Sequence, residues 1–198
     1  MTMPGMGRGG VSRAQVDASI ARLAGPTLPA GIYGDIHLAY PSAVSAGVGY
    51  AAGTMYTMLL PVAQAGQAID RVSISVTVIG TATLARLGSY LVGPDFLPTT
   101  LIEDYGEVDV TTAADKEITV ARTLPPGPFV CMAVLFNGSC TIHGYNSFTQ
   151  SIYGWTSPSS TVRRVSFSKA QAYGPLPTSY GVPATYYITS PRISVRGA

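Results

Sequence analysis

The sequence predicts an all-β protein, an antiparallel β-sandwich preceded by a short N-terminal helix and arm. Three observations predict it. Between Ile69 and Ile79, Val72, Ile74, Val76 and Val78 alternate with Ser73, Ser75 and Thr77, the period of a strand with one face in a core and one toward water. Residues 53–136 then read as a series of short strands separated by turn signals, a spacing that favours a sandwich over a parallel α/β sheet. Charged residues make up only 11% of the chain, with Gly 22, Pro 15 and Tyr 12, against roughly 25% charge in an ordinary soluble domain.

The elements follow in order. Residues 1–11 are rich in Gly and Met and form a leader. Ser12 suits an N-cap, and Val16, Ile20 and Leu23 recur at helical spacing until Gly25-Pro26 ends the pattern. This helix is read as an anchor for a neighbouring subunit or as packing on its own domain. A Pro/Gly/Ala-rich connector with one extended piece near Tyr33 to Tyr40 completes an arm over residues 1–52, and the sandwich domain covers 53–198. Its strands are expected at Thr54–Val62, Ile69–Ile79, Thr83–Leu91, Leu101–Tyr105, Glu107–Val110, Lys116–Val120, Pro128–Phe136 and Thr141–Tyr145. Turns fall at Ala65-Gly66, Gly80-Thr81, Gly93-Pro94, Pro125-Pro126-Gly127 and Asn137-Gly138. Residues 146–190 form a long Tyr/Gly/Ser-rich loop region, with Val162–Ser168 alternating like a strand and Tyr186–Val195 closing the sheet.

Pro128–Phe136 stands apart, because every residue from Phe129 to Phe136 is apolar. Both faces of such a strand need cover. The second sheet supplies one, and an oligomer partner, the N-terminal helix or the late loops supply the other.

Charge narrows the function classes. The formal net charge is +2, which gives no reason to expect nucleic acid. Eight acidic and four basic residues lie between Asp70 and Arg122, whereas the chain from Thr123 onward has five basic and no acidic ones, an asymmetry suited to subunit contacts. Met1–Gly10 has no apolar run of the secretory-signal kind. Leu38–Ile69 carries no charge, but its prolines and glycines argue against a spanning helix.

Several segments fit a chemical motif and a plain structural reading alike. Gly5-Met6-Gly7-Arg8-Gly9-Gly10 fits a dinucleotide fingerprint only formally, with no strand before it. Cys140 and His143 have a metal-like spacing, but only Cys131 and His37 remain to complete a site. With Asn137-Gly138 as a two-residue hairpin turn, Leu135 sits opposite Cys140, and Cys131 lies on the order of 13 Å further along its strand. That exceeds the roughly 7 Å limit of a disulfide, so two reduced thiols are expected. Asn137-Gly138-Ser139 matches a glycosylation sequon and reads as turn chemistry. Glu103, Asp104, Glu107 and Asp109 cluster as paired catalytic or calcium-binding carboxylates would, yet an exposed polar face looks the same. No enzyme activity and no cofactor or metal is expected. Tyr145, Tyr153, Trp155, Tyr173 and Tyr180 lie in or beside the late loop region, and aromatic faces there suit either subunit contacts or a sugar.

The order of these features carries a resemblance. Leu59-Leu60-Pro61-Val62 leads to Ile69-Asp70-Arg71-Val72, then to Ala85-Arg86-Leu87-Gly88-Ser89-Tyr90 and Leu101-Ile102-Glu103-Asp104-Tyr105-Gly106-Glu107-Val108-Asp109. Lys116-Glu117-Ile118-Thr119-Val120 and Leu124-Pro125-Pro126-Gly127-Pro128-Phe129 follow. Residues 50–145 resemble the jelly-roll-like module of tailed-bacteriophage tail, fibre and head-appendage proteins. Pro128-Phe129 stands where members of that family often carry an aromatic, frequently Trp. The resemblance implies a viral structural protein of the virion, assembled in the host cytoplasm as a homo-oligomer, a trimer being plausible. It implies a minor tail or fibre protein, with a head spike or capsid decoration protein, or a host-glycan-binding receptor module, as alternatives. Other virion proteins are the expected partners, with host cell-surface glycan a further one; no nucleic acid or membrane partner is implied.

Overall fold

The computed structural model describes residues 27–34, 44–62, 66–146, 166–183, 185–187 and 189–198. Its strands are β1 (Tyr33–Gly34), β2 (Val44–Tyr50), β3 (Thr54–Pro61), β4 (Gln67–Val78), β5 (Leu84–Val92), β6 (Pro98–Asp109), β7 (Asp115–Leu124), β8 (Phe129–Phe136), β9 (Cys140–Asn146), β10 (Ser166–Ala170), β11 (Thr185–Tyr187), β12 (Thr189–Pro191) and β13 (Ile193–Gly197). No helix occurs among the described residues; the one expected around Val16, Ile20 and Leu23 lies outside them. The protein is an all-β antiparallel sandwich.

One sheet runs β1-β13-β4-β9-β12, with β2 also on β9 and β7 also on β4. The other runs β11-β10-β3-β8-β5-β6. Because β1 pairs with β13 and β2 with β9, the sandwich takes in chain from within the expected arm and begins before residue 53. Leu101–Tyr105 and Glu107–Val110 are one strand, β6, not two. The ladder steps from Leu87↔Gly106 to Gly88↔Asp104 and skips Tyr105, a bulge that keeps pairing through what reads as a break.

The largest correction concerns Asn137-Gly138. It is not a hairpin turn, because β8 and β9 lie in different sheets. The chain crosses between layers there and is stapled to the other crossing at residues 79–83. The Asn137 side-chain oxygen accepts from the Thr83 and Leu84 amides at 2.9 and 3.0 Å, and its amide nitrogen donates to Thr83 Oγ1 at 2.8 Å. The two backbones nearly touch. A Cβ on Gly80 would lie 2.1 Å from the Ser139 carbonyl oxygen, and one on Gly138 would lie 2.5 Å from Thr81, so glycine is required by contact at both places.

The alternation in β4 sorts as the sequence indicates. Val72, Ile74 and Val76 are buried, and Ser73, Ser75 and Thr77 take the opposite face. Val78 departs from this, being 58% exposed beyond a register shift at Val76/Val78.

β8 is buried at every residue. Residues opposite one another on paired strands share a face, so the register defines both sides. The inner face of the six-stranded sheet carries Met58, Met132 and Ser89 in one row and Tyr56, Val134 and Leu87 in the next. Met58 Sδ lies 3.3 Å from the Ile193 amide of the opposing sheet. The outer face carries the rows Phe167–Thr57–Ala133–Gly88–Asp104 and Leu59–Cys131–Tyr90–Leu101. Residues 171–183 form a strap over this outer face. Leu176 and Tyr180 are buried in the main core cluster. The late loop, one of the expected covers, packs on this face.

The strap is fastened at several points. The Leu176 amide donates to the Asp104 carboxylate at 3.0 Å, and Asp104 also accepts from Arg86 Nε at 3.0 and 3.1 Å and from the Gly106 amide at 3.0 Å. Tyr90 donates to the Pro177 carbonyl at 3.0 Å, and its ring meets Tyr180 edge-on at 5.4 Å. The Tyr180 amide donates to Thr99 and the Leu101 amide to Thr178. Gly88 leaves the room that Leu176 fills, since a Cβ there would lie 2.2 Å from Leu176 Cδ1.

Removing either fastening should be costly. Leu176→Ala is expected to lower stability by about 2–4 kcal/mol through a cavity beneath the strap. Asp104→Ala should cost about 2–3 kcal/mol by stranding its charged and backbone donors. Urea unfolding of both variants measures this, and a loss under about 0.5 kcal/mol, the range of ordinary surface changes, would contradict the strap's role.

Candidate functional site

The residues singled out from sequence do not converge on one site. Tyr145 and Tyr180 are both 0% exposed, which corrects their assignment as partner or glycan contacts: a fully buried ring has no face for a ligand. Their position in or beside a Gly/Ser-rich stretch concealed this, because such a stretch has no regular pattern of burial. Tyr173 is half-buried against the core. Tyr153 and Trp155 lie outside the described residues.

The acidic cluster serves strand pairing. Arg86 bridges Asp104 and Glu107, and Arg122 of β7 meets Glu103 of β6 at 3.0 Å, joining the two sheets at their edge. Beside that pair, the Ser89 and Tyr105 hydroxyls lie 2.8 Å apart. Asp109 accepts from the Thr111 amide and hydroxyl at 2.7 and 2.6 Å, and those two bonds hold its carboxyl below the usual carboxylate range.

Cys131 and Cys140 are free and buried, and they sit in different sheets, so the hairpin geometry does not describe their separation. His37 lies outside the described residues. Among the described residues, no group of three or more His, Cys, Asp or Glu side chains is placed to hold a metal ion. No described helix is long and apolar enough to cross a membrane.

The structure does assemble a groove that the sequence reading missed. It lies on the polar face of the seven-stranded sheet, whose four strands β1, β13, β4 and β7 run side by side. Register places Ser194, Ser73 and Glu117 in one row and Arg196, Arg71 and Thr119 in the next, with Tyr33 opposite Arg196 and Asp115 opposite Ser75. Tyr33, Ser73, Ser75, Asp115, Glu117, Arg192 and Ser194 line a cavity of about 160 Å³. Tyr33 donates its hydroxyl to Glu117 across two intervening strands, and Arg196 sits 5.7 Å from its ring centre. That hydrogen bond, with desolvation and the Glu117 charge, raises the Tyr33 hydroxyl above its ordinary value. Arg196 is held by Asp70 through bonds of 2.8 and 2.5 Å, and this pairing keeps the Asp70 carboxyl low. Arg71 approaches Glu117 at 3.9 Å.

One sequence signal did point here, the Ser73/Ser75/Thr77 face of β4. The other contributors come from as far away as residues 33 and 192, and only the strand order joins them.

No family model matches the chain, and no curated protein matches it. Among solved structures it is similar to the cysteine protease and lectin-like domains of Cwp84, a surface layer associated protein of Clostridium difficile. The TM-score is 0.45 and the identity 8% over 77% of this chain. The chain spans 36% of that one.

The buried acids of the six-stranded sheet and of the strap over it set a limit at alkaline pH. Desolvation pushes the Cys131 thiol up to about 12 from 9.0 and raises the Tyr90, Tyr105 and Tyr180 hydroxyls. Tyr173 rises to about 12 through burial first and Glu107 second. Each group therefore ionises earlier in the unfolded chain than in the folded one. Their stabilisation is fully present below the unfolded values of 9.0 for Cys and 10.0 for Tyr and is lost as pH rises through the folded ones. Stability is expected to fall above about pH 9, by up to about 1.4 kcal/mol per pH unit for each group ionising. Urea unfolding across the alkaline range tests this, and a flat profile to pH 11 would contradict the burial described.

Proposed function

We propose that the chain is a structural subunit of a tailed-phage particle, tail-associated as a minor tail or fibre protein and held by contacts with other virion proteins. The observation that carries the reading is how the fold uses its few charges. Asp70, Glu103, Asp104, Glu107 and Glu117 are each tied to an arginine across or along the sheets, and they fasten strands and strap. Among the described residues few charges stand outside these pairs, a surface better matched to neighbouring protein than to isolation in water. The likeness of residues 50–145 to phage jelly-roll-like modules supports the same reading.

Partners are other virion proteins, with self-association into a homo-oligomer. A head-spike or capsid-decoration position is the second placement, and it fits the same surface. The N-terminal segment carrying Val16, Ile20 and Leu23 is the proposed anchor.

Mass spectrometry of purified particles from the source phage, with immunogold labelling against residues 66–146, tests the proposal. The expected result is a fixed number of copies per particle with label at the tail. Label on the head would move the subunit to the second placement and overturn the tail assignment. Absence from particles, with sedimentation of the purified chain as a 20.6 kDa monomer, would overturn the structural role itself.

A further inference from the structure

We infer that the groove on the seven-stranded sheet binds a neutral carbohydrate, one sugar ring at a time. This stands apart from the virion reading, since the groove's occupancy can be measured wherever the chain resides.

A polar group open to the groove comes first. Ser73 is only 8% exposed and lines the groove, with its hydroxyl accessible there and not sealed in the core. Water or a ligand hydroxyl can therefore supply its hydrogen bonds. Ser75 and Ser194 flank it on the neighbouring positions of β4 and β13 and face the same space.

Charge is balanced around the groove. Asp115, Glu117 and Arg192 line it, Arg71 approaches Glu117 at 3.9 Å, and Asp70 and Arg196 pair with each other beside it. A cationic or anionic ligand therefore meets little net field. A ligand whose hydroxyls both donate and accept meets complementary groups throughout: carboxylates of Asp115 and Glu117 as acceptors, Arg192 as donor, and the serines as either. Hydrogen bonds to charged partners are the stronger kind, and hydroxyls reproduce the bonds of the waters they displace.

Size and rim suit the same ligand. A volume of about 160 Å³ holds on the order of five waters and falls short of the roughly 300–1,000 Å³ of pockets for drug-sized ligands. It suits a single pyranose. Tyr33 stands at the rim, 41% exposed, with its hydroxyl fixed by Glu117 and its ring steadied by Arg196. A braced aromatic of this kind offers an apolar edge to the C–H side of a sugar without further ordering cost.

A small contact of this sort binds weakly, with a dissociation constant on the order of millimolar. The test is an amide-resolved NMR titration of the full chain with methyl glycosides of glucose, galactose, mannose and N-acetylglucosamine, taken to tens of millimolar. A trilysine peptide is titrated in parallel. The expected result is saturable shifts from at least one glycoside at residues 33, 73–75, 115–117 and 192–194. Ser73→Val and Glu117→Gln should each weaken binding roughly tenfold, while Thr119→Ala, on the same face outside the groove, leaves it unchanged. If Ser73→Val loses its folded spectrum, Glu117→Gln decides alone. The inference is overturned if no glycoside moves these amides, if the variants bind as the parent does, or if trilysine binds more tightly than every glycoside.

Discussion

A strand that is apolar on both faces is the constraint around which this sandwich is arranged. β8 presents Val130, Met132 and Val134 to one side and Cys131, Ala133 and Leu135 to the other, all buried. Burying such side chains yields about 1.5–3 kcal/mol each for the large ones, and leaving one face wet would forfeit half of that gain. The seven-stranded sheet takes the first face. The 171–183 strap takes the second, and this one requirement accounts for Gly88, for the Asp104 carboxylate beneath the Leu176 amide, and for the buried Tyr90–Tyr180 pair.

Placing β8 centrally also dictates how charge is spent. The strap and the sheet edges need polar fastenings that survive partial burial, and each is built from an arginine with a carboxylate. Arg86 with Asp104 and Glu107 holds the strap end, and Arg122 with Glu103 closes the edge between layers. On the opposite face, Asp70, Arg196, Tyr33 and Glu117 link β4, β13, β1 and β7. Exposed ion pairs contribute little individually. Their effect among the described residues is to fix register and position.

Much of the fold was legible because period-two patterning is a local signal. The Val72/Ile74/Val76 face and the uniformly apolar β8 could be read directly, and so could the need to cover β8 twice. What was misread depended on strand order. Asn-Gly serves a tight hairpin and a crossing between layers equally well, so Asn137-Gly138 gave no warning that β8 and β9 part company. Tyr145 and Tyr180 look exposed in their sequence context and are buried because strand pairing and the strap carry them inward. The groove was least legible: Ser73 is visible as half of an alternation, whereas Tyr33, Glu117 and Arg192 come together only through the β1-β13-β4-β7 arrangement.

The arrangement of the sandwich requires that β8 be covered by its own chain and not by a partner. Amide hydrogen exchange on the monomeric protein, prepared at high dilution, addresses that directly. Self-cover predicts that the amides of 129–136 exchange only through global unfolding, with the slowest rates in the molecule. Exchange within minutes in the monomer, with protection appearing only on oligomerisation, would show that a second subunit provides the missing face and would contradict it.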